Sequence, residues 1–132
     1  MKAGAVVIDN SSAFRMDPAI PLVIPEINPQ AIGGARIIAN PNCSTIIMNM
    51  AVWPLHRVKR ARRIVVSTYQ AASGAGWQAM QELENQAREM LAGRAAAPQV
   101  FPHPIAFNLF SHNTTIGPDG YNVEETKMVL ET

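Results

Sequence analysis

Cys43 is the only cysteine in the 132 residues. The preceding run 35–39 is apolar and predicts a buried strand, and apolar residues recur at helical spacing from Ile46 onward. The thiol is therefore predicted at a strand-to-helix turn, where unpaired N–H groups and the helix dipole favour a thiolate. Asn40 and Asn42 beside it can cap the helix or donate to an oxyanion. A reactive nucleophile and a small buried side chain both remain open for Cys43.

Charged side chains elsewhere could hold an anion. Arg15 follows the polar cluster 9–12, and this cluster ends the apolar run 5–8, which predicts a buried strand of a parallel sheet. It is either a solvated charge or a forked donor for phosphate or carboxylate. Glu124 and Lys127 are three apart in the helical pattern 122–130. They share a face, and a surface ion pair is their simplest interpretation.

A second candidate site follows the β-branched run 64–69, which predicts a strand. Gln70 and the small residues 71–76 come next, and the two glycines Gly74 and Gly76 would let a ligand approach the backbone near a helix N-terminus. The pattern Ser-Gly-x-Gly is common by itself. No Gly-x-Gly-x-x-Gly motif follows a strand in this sequence, so the usual dinucleotide fingerprint is not present here.

The remaining patterns predict packing. Apolar residues recur at helical spacing over 77–91, and this stripe is expected to bury against the sheet or a partner subunit. Pro54 is expected to kink or stop the helix after Cys43. The basic string 56–63 is interpreted as a solvated helix end, where cations are favoured, in preference to a nucleic-acid site.

Composition narrows the class of protein. The net charge of +1 gives no general attraction to nucleic acid or acidic membranes. One cysteine excludes an internal disulfide and a cysteine-based zinc cluster, and no metal site is predicted. No apolar run approaches the ~18–20 residues that span a bilayer, and the first residues do not form a signal peptide, so a cytoplasmic location is expected. The chain opens on a strand and stops inside a helical pattern, which predicts a fragment.

Five motifs together resemble the middle of the aspartate-semialdehyde dehydrogenase family. They occupy residues 9–15, 21–28, 40–45, 67–76 and 124–127, in the family's order. The resemblance implies NADP-dependent, reversible, phosphorylating oxidation of L-aspartate 4-semialdehyde to 4-phospho-L-aspartate, on the route to lysine, threonine and methionine. It also implies that the reaction passes through an acyl-thioester on Cys43.

The resemblance assigns roles to matched residues. Cys43 and Gln70 are implied as catalytic, Gln70 and Glu124 as substrate-binding, and Arg15 and Lys127 as phosphate-binding. Asn42 is implied as an oxyanion donor. Five further matched positions are implied as cofactor-binding: Asn10, Ser73, Gly74, Ala75 and Gly76. The family's base histidine has no match in this chain, and its glycine-rich NADP loop has none either, so the isolated chain is expected to be inactive.

The implied fold is α/β in two parts. Residues 1–41 would end a Rossmann-like NADP-binding domain, and residues 42–132 would begin an α+β catalytic and dimerisation domain with a mixed sheet. The full-length enzyme would be a homodimer. Strands separated from their neighbours would leave apolar faces exposed.

Three other functions remain open. A related N-acetyl-glutamyl-phosphate reductase would share the chemistry with another substrate. A truncated, non-catalytic paralogue acting as a dimerisation or regulatory module would keep the 77–91 face and need no reactive thiol. A Cys–His hydrolase would need a histidine near Cys43, which the spacing does not indicate.

Overall fold

The structure is a computed structural model that describes residues 4–112 and 114–132. Residues 1–3, on which the expectation about a signal peptide partly depends, lie outside the described residues. The chain divides into two compact units. Unit 1 comprises Met1–Val66 and Gly117–Thr132, and unit 2 comprises Ser67–Ile116. The domain boundary between residues 41 and 42 stays a prediction.

Unit 1 contains a parallel pair of strands. Strand β1 (Val7–Asp9) pairs with β2 (Ile37–Ala39), with Val7 opposite Ile37 and Asp9 opposite Ala39. Leu22 forms a parallel bridge to Ala39 on the other side of β2. The segment 21–29, which begins and ends with a proline and is called the proline-bounded segment, therefore runs parallel to β2 at that point. The predicted parallel arrangement is confirmed. The parallel direction brings the carboxyl ends of β1 and β2 to the same edge.

The predicted burial of the first strand is wrong for this chain. Ile8 is 74% exposed and Val7 is also exposed. Apolar strands are buried in parallel sheets because helices cover both faces, and the described residues of unit 1 leave Val7 and Ile8 uncovered. This agrees with the expectation that strands without their neighbours leave apolar faces open.

Two capped helices complete unit 1. Helix α1 (Cys43–Val58) begins after Asn42, and α3 (Val123–Leu130) begins after Asn122, which forms a reciprocal capping box with Glu125. The two helices pack together. Pro54 does not stop α1, since the helix continues for four residues beyond it. The buried apolar side chains of unit 1 come from the proline-bounded segment, β2 and α3: Val23, Ile24, Ala39 and Met128.

The run 64–69 is not a strand, which corrects the sequence prediction. These residues have no regular secondary structure, and none of them forms a backbone hydrogen bond to a neighbouring strand in the described parts of the chain. Val65 and Tyr69 are more than 80% exposed. β-branched residues favour a pleated surface only when a neighbouring strand and a packing layer are available, and these residues have neither.

Unit 2 is built on helix α2 (Trp77–Leu91), which follows a 3₁₀ turn at Ala72–Ala75. The helix is as predicted, but its buried face is polar. Gln86 Oε1 accepts hydrogen bonds from the N–H groups of Ile105 and Ala106 at 2.7 and 3.2 Å. Glu82 accepts from the N–H of Gln99 at 3.1 Å and from the N–H of Val100. The loop after α2 therefore packs on α2 through its own backbone.

The apolar stripe of α2 remains open within unit 2. Trp77 and Leu91 are 67% and 79% exposed, and Met80 and Met90 are also exposed. The expected burial of this stripe therefore does not occur within the unit. Gly93, at φ +73°, follows the helix end, where a left-handed residue commonly terminates a helix. Arg94 hydrogen-bonds Glu89 there and holds the pKa of that carboxyl below its ordinary value.

The described residues contain no candidate for a membrane-spanning helix or for a metal site. No helix there is both long and apolar enough to cross a membrane. No group of three or more His, Cys, Asp or Glu side chains in the same residues could hold a metal ion.

Candidate active site

The carboxyl ends of the two strands form the base of the site in unit 1. Asn10 follows β1 and Asn40 follows β2. The N–H of Asn40 donates to the carbonyl of Asp9 at 2.8 Å, and Asn40 Nδ2 donates to Asn10 Oδ1 at 2.7 Å. Both loops therefore leave the sheet side by side, as the parallel pairing requires.

Asn42 fixes the start of α1 and the position of Cys43. Its Oδ1 accepts from the N–H groups of Ser44 and Thr45 at 2.9 and 3.4 Å, which is an ordinary N-cap. Cys43 is the first residue of α1, and it is exposed. A buried packing role therefore does not describe this cysteine, while a small molecule can reach its Sγ.

Helix α3 brings Glu124 and Lys127 to the same end of α1. Glu124 Oε1 accepts from Asn42 Nδ2 at 2.6 Å, and its Oε2 accepts from Lys127 Nζ at 3.2 Å. Glu124 is 7% exposed, whereas the Lys127 side chain is about one-third exposed. The expected ion pair is present, but it is joined to the N-cap beside Cys43 and is not merely a surface pair.

Arg15 reaches the same place from the loop after β1. Its Nε donates to the carbonyl of Asn40 at 2.9 Å, and its Nη2 donates to the carbonyl of Asn10 at 3.1 Å. The side chain is 9% exposed, so the interpretation of a freely solvated charge does not hold. The structure thus gathers six predicted residues in unit 1: Asn10, Arg15, Asn42, Cys43, Glu124 and Lys127.

Glu131 is a member of this cluster that the sequence analysis missed. Its Oε1 accepts from Arg15 Nη1 at 3.2 Å, and its Oε2 accepts from the N–H of Asn42 at 2.5 Å. A signal was available, because Glu131 lies four residues after Lys127 and seven after Glu124, which places all three on one helix face.

The charges of the cluster cancel. Two cations and two carboxylates lie around the N-terminus of α1, and the carboxylates contact the N–H and the side chain of Asn42. A carboxylate at a helix N-terminus uses part of the dipole field that would otherwise favour another anion. Glu124 and Glu131 therefore offset part of the positive potential at the start of α1.

Gln70 and the residues from Ser73 to Gly76 belong to unit 2. Gln70 is exposed, and so are the residues from Ser73 to Gly76. Side chains built on Gly74 and Gly76 would meet nothing within 4 Å, and Gly76 has φ +91°, which favours glycine. No side chain of the described residues caps α2, so the first N–H groups of the helix have no side-chain acceptor among them. An open backbone beside uncapped N–H groups fits the approach of a nicotinamide dinucleotide.

Two family models match the chain. Residues 52–132 match the semialdehyde dehydrogenase dimerisation domain, and residues 1–35 match the semialdehyde dehydrogenase NAD-binding domain.

Curated relatives match nearly the whole chain. An aspartate-semialdehyde dehydrogenase of Synechocystis sp. is 56% identical over 99% of this chain and 39% of its own length. One of Aquifex aeolicus is 51% identical over 99% of this chain and 40% of its own length. The chain therefore spans about 40% of the length of these relatives.

Solved structures agree in fold. Aspartate semialdehyde dehydrogenase II from Vibrio cholerae matches with a TM-score of 0.93 and 47% identity, over 99% of this chain and 40% of that one. A structure of that enzyme complexed with ASA matches with a TM-score of 0.92 and 46% identity, over 98% of this chain and 40% of that one. The predicted α/β class and the resemblance to this group of enzymes are confirmed.

Proposed function

Since the chain belongs to the semialdehyde dehydrogenase family, we propose that it is the central segment of an aspartate-semialdehyde dehydrogenase. The protein would oxidise L-aspartate 4-semialdehyde in the presence of phosphate to 4-phospho-L-aspartate. The observation that carries this proposal is the cluster in which Glu124, Lys127 and Arg15 surround the start of α1, beside the exposed Cys43. The names of the relatives support the same substrate.

The proposed nucleophile is Cys43. Its thiolate attacks the aldehyde carbon, and the C–S bond forms as the C=O π bond opens to a thiohemiacetal alkoxide, which re-forms the C=O bond when the hydride leaves. Asn42 Nδ2 has two N–H groups and uses one for Glu124 within the described residues, so the other can donate to the developing oxyanion. The residues proposed to hold NADP are Asn10 in unit 1 and 73–76 in unit 2, and the cofactor would, when bound, supply the hydride acceptor for this carbon. Cys43 then carries an acyl-thioester.

Phosphate completes the reaction. Arg15 supplies a planar fork and Lys127 a mobile point charge, which are complementary ways to hold a phosphate. A phosphate oxygen attacks the thioester carbonyl, the C–S bond breaks, and the thiolate of Cys43 is regenerated as the acyl phosphate leaves. Each bond that forms is matched by one that breaks, so the cysteine returns to its starting state.

Glu124 and Gln70 would orient the substrate. A buried carboxylate such as that of Glu124 favours a cationic partner, and the amino group of aspartate semialdehyde is one. N-acetyl-glutamate 5-semialdehyde carries an uncharged amide at the equivalent position. Glu124 therefore favours the aspartyl substrate over the substrate of a related reductase. Gln70, exposed in unit 2, would hydrogen-bond the substrate.

The test uses the gene product at its natural length. We expect reduction of NADP that depends on both aspartate semialdehyde and phosphate, with N-acetyl-glutamate 5-semialdehyde a poor substrate. Cys43→Ser should lower kcat by about 10³-fold or more, because the nucleophile is removed. Lack of turnover with either aldehyde, together with no alkylation of Cys43 by iodoacetamide, would instead favour a non-catalytic dimerisation or regulatory module.

Four further properties belong to the same proposal. We infer a preference for NADP over NAD, a homodimer, a cytoplasmic location and no activity for the isolated 132-residue chain. His56 is 13 residues after Cys43 on α1, about 20 Å along the helix, so it is too far to serve as its base. The dimer is supported by the match to a dimerisation domain. Steady-state rates with each cofactor and the mass of the native gene product in solution test the first two properties.

A further inference from the structure

Glu131 is the most deeply placed charged group of the site. It follows the last residue of α3, and its side chain is 2% exposed. One carboxylate oxygen accepts from Arg15 Nη1 at 3.2 Å, and the other accepts from the N–H of Asn42 at 2.5 Å. A single buried carboxylate thus joins the loop after β1 to the turn that precedes Cys43.

The guanidinium of Arg15 is fixed on three sides. Carbonyl oxygens of Asn40 and Asn10 accept from Nε and Nη2, and Glu131 accepts from Nη1. An arginine has five N–H groups in one plane, so two remain without a partner among the described residues. Two of the three acceptors are backbone carbonyls, and the third is the side chain of Glu131, which a substitution can remove. Removing it would leave Nη1 without its acceptor, so the guanidinium would be held on two sides instead of three.

Charge alone does not explain this arrangement. Glu131 cancels the formal charge of Arg15, so the pair attracts an anion less than Arg15 would by itself. Burying such a pair also costs desolvation free energy, which its attraction need not repay. An arginine that only had to attract an anion would do so better without this partner. The arrangement instead restricts the orientation of the two spare N–H groups.

We propose that Glu131 is a positioning residue that holds Arg15 in a fixed orientation beside Cys43 for the attack of phosphate. This rests on the proposed function, because it takes phosphate as the ligand of Arg15. A fixed fork reduces the orientational freedom that must be lost when phosphate attacks the thioester, and small misplacements of such groups lower rates strongly. Glu131 itself would not touch the substrate.

The kinetic test compares Glu131→Gln with the unaltered gene product at its natural length. We expect kcat/KM for phosphate to fall about tenfold or more, because the glutamine cannot accept from both Arg15 and Asn42. The calorimetric Kd for inorganic phosphate should rise far less or even fall, since Arg15 is no longer neutralised. Glu26→Gln is the matched control, because it removes the same charge from an exposed residue of unit 1 and should change neither quantity.

A double variant separates positioning from general loss of structure. If Glu131 acts through Arg15, adding Glu131→Gln to Arg15→Lys should change kcat/KM for phosphate by less than about twofold. If Glu131→Gln lowered kcat/KM for phosphate by the same factor with Arg15 present and in the Arg15→Lys variant, Glu131 would act independently of Arg15. That result would overturn the proposal. Glu131→Asp provides a second variant if the glutamine protein does not fold. It keeps the charge but is one methylene shorter, so a comparable loss in kcat/KM is expected.

NMR gives a readout that does not need turnover. Held by three acceptors, the N–H groups of the Arg15 guanidinium should give separate signals in ¹⁵N-arginine-labelled protein, and Glu131→Gln should merge or broaden them. If the protein turns over but neither the signals nor kcat/KM change, the positioning role is wrong and the proposed function stands. If it does not turn over aspartate semialdehyde yet the signals change, the proposed function is wrong and Glu131 still positions Arg15.

Discussion

Asn42 and Glu124 are joined by a 2.6 Å hydrogen bond from Asn42 Nδ2 to Glu124 Oε1, which links the start of α1 to the first turn of α3. The two residues are 82 positions apart in the chain. Both are buried, at 6% and 7% exposure. Asn42 therefore caps the helix that begins with Cys43 and supplies a donor to the carboxylate proposed to bind the amino group of the substrate.

Asn42→Ala should destabilise the protein by about 1–3 kcal/mol, since it removes an N-cap and leaves a buried carboxylate without one donor. Urea unfolding of the natural-length gene product measures this change. Asn42→Ser is the matched variant, because serine keeps the cap and lacks the Nδ2 donor. It should recover part of the lost free energy. An alanine variant as stable as the unaltered protein would contradict the dual role of Asn42.

Glu124→Gln should raise KM for aspartate semialdehyde about tenfold, because a neutral amide binds an ammonium group less strongly than a carboxylate does. KM for phosphate should change little. Lys127→Ala should raise KM for phosphate and change KM for aspartate semialdehyde little, since the proposed ligand of Lys127 is phosphate. Steady-state kinetics with each substrate varied in turn separates the two residues. If both variants raised the same KM, the assignment of separate ligands to Glu124 and Lys127 would be wrong.

The sequence predicted the site residues of unit 1 better than it predicted their surroundings. The positions of Arg15, Glu124 and Lys127 came from matched motifs, and the structure brings all three to the start of α1. Helix starts were also predictable, because Asn42 and Asn122 are local signals. Their roles in the chemistry stay predictions.

Two features that the structure does not show, the strand predicted at 64–69 and the burial of the α2 stripe within its unit, both depend on partners that are distant in sequence. Residues 64–69 have strand-forming side chains, but a strand also needs a neighbour, and none pairs with them in the described parts of the chain. The stripe on α2 has the right helical period, yet the buried face of the helix is the one with Glu82 and Gln86. Periodicity locates an apolar face and does not identify what covers it.

Gln86→Leu should release the loop that packs on α2. The leucine has nearly the same size but cannot accept from the N–H groups of Ile105 and Ala106, which Gln86 does in the structure. The free energy of unfolding of unit 2 should fall by about 1–3 kcal/mol, the cost of leaving buried donors unpaired. Hydrogen exchange at the amides of Ile105 and Ala106 should become faster by a corresponding factor. Gln81→Leu, at an exposed position of the same helix, should leave their exchange unchanged.

Leu91→Glu should weaken the proposed homodimer. Leu91 is 79% exposed at the end of the apolar stripe of α2, in the region matched by the dimerisation-domain model. If a second copy covers the stripe, a glutamate there must be buried unpaired, which would raise the dissociation constant of the dimer by about tenfold or more. Sedimentation of the natural-length gene product at several concentrations measures it. Leu91→Met conserves volume and should sediment as the unaltered protein does. A glutamate variant that remains equally dimeric would mean that the stripe of α2 is not part of the interface, whatever else covers it.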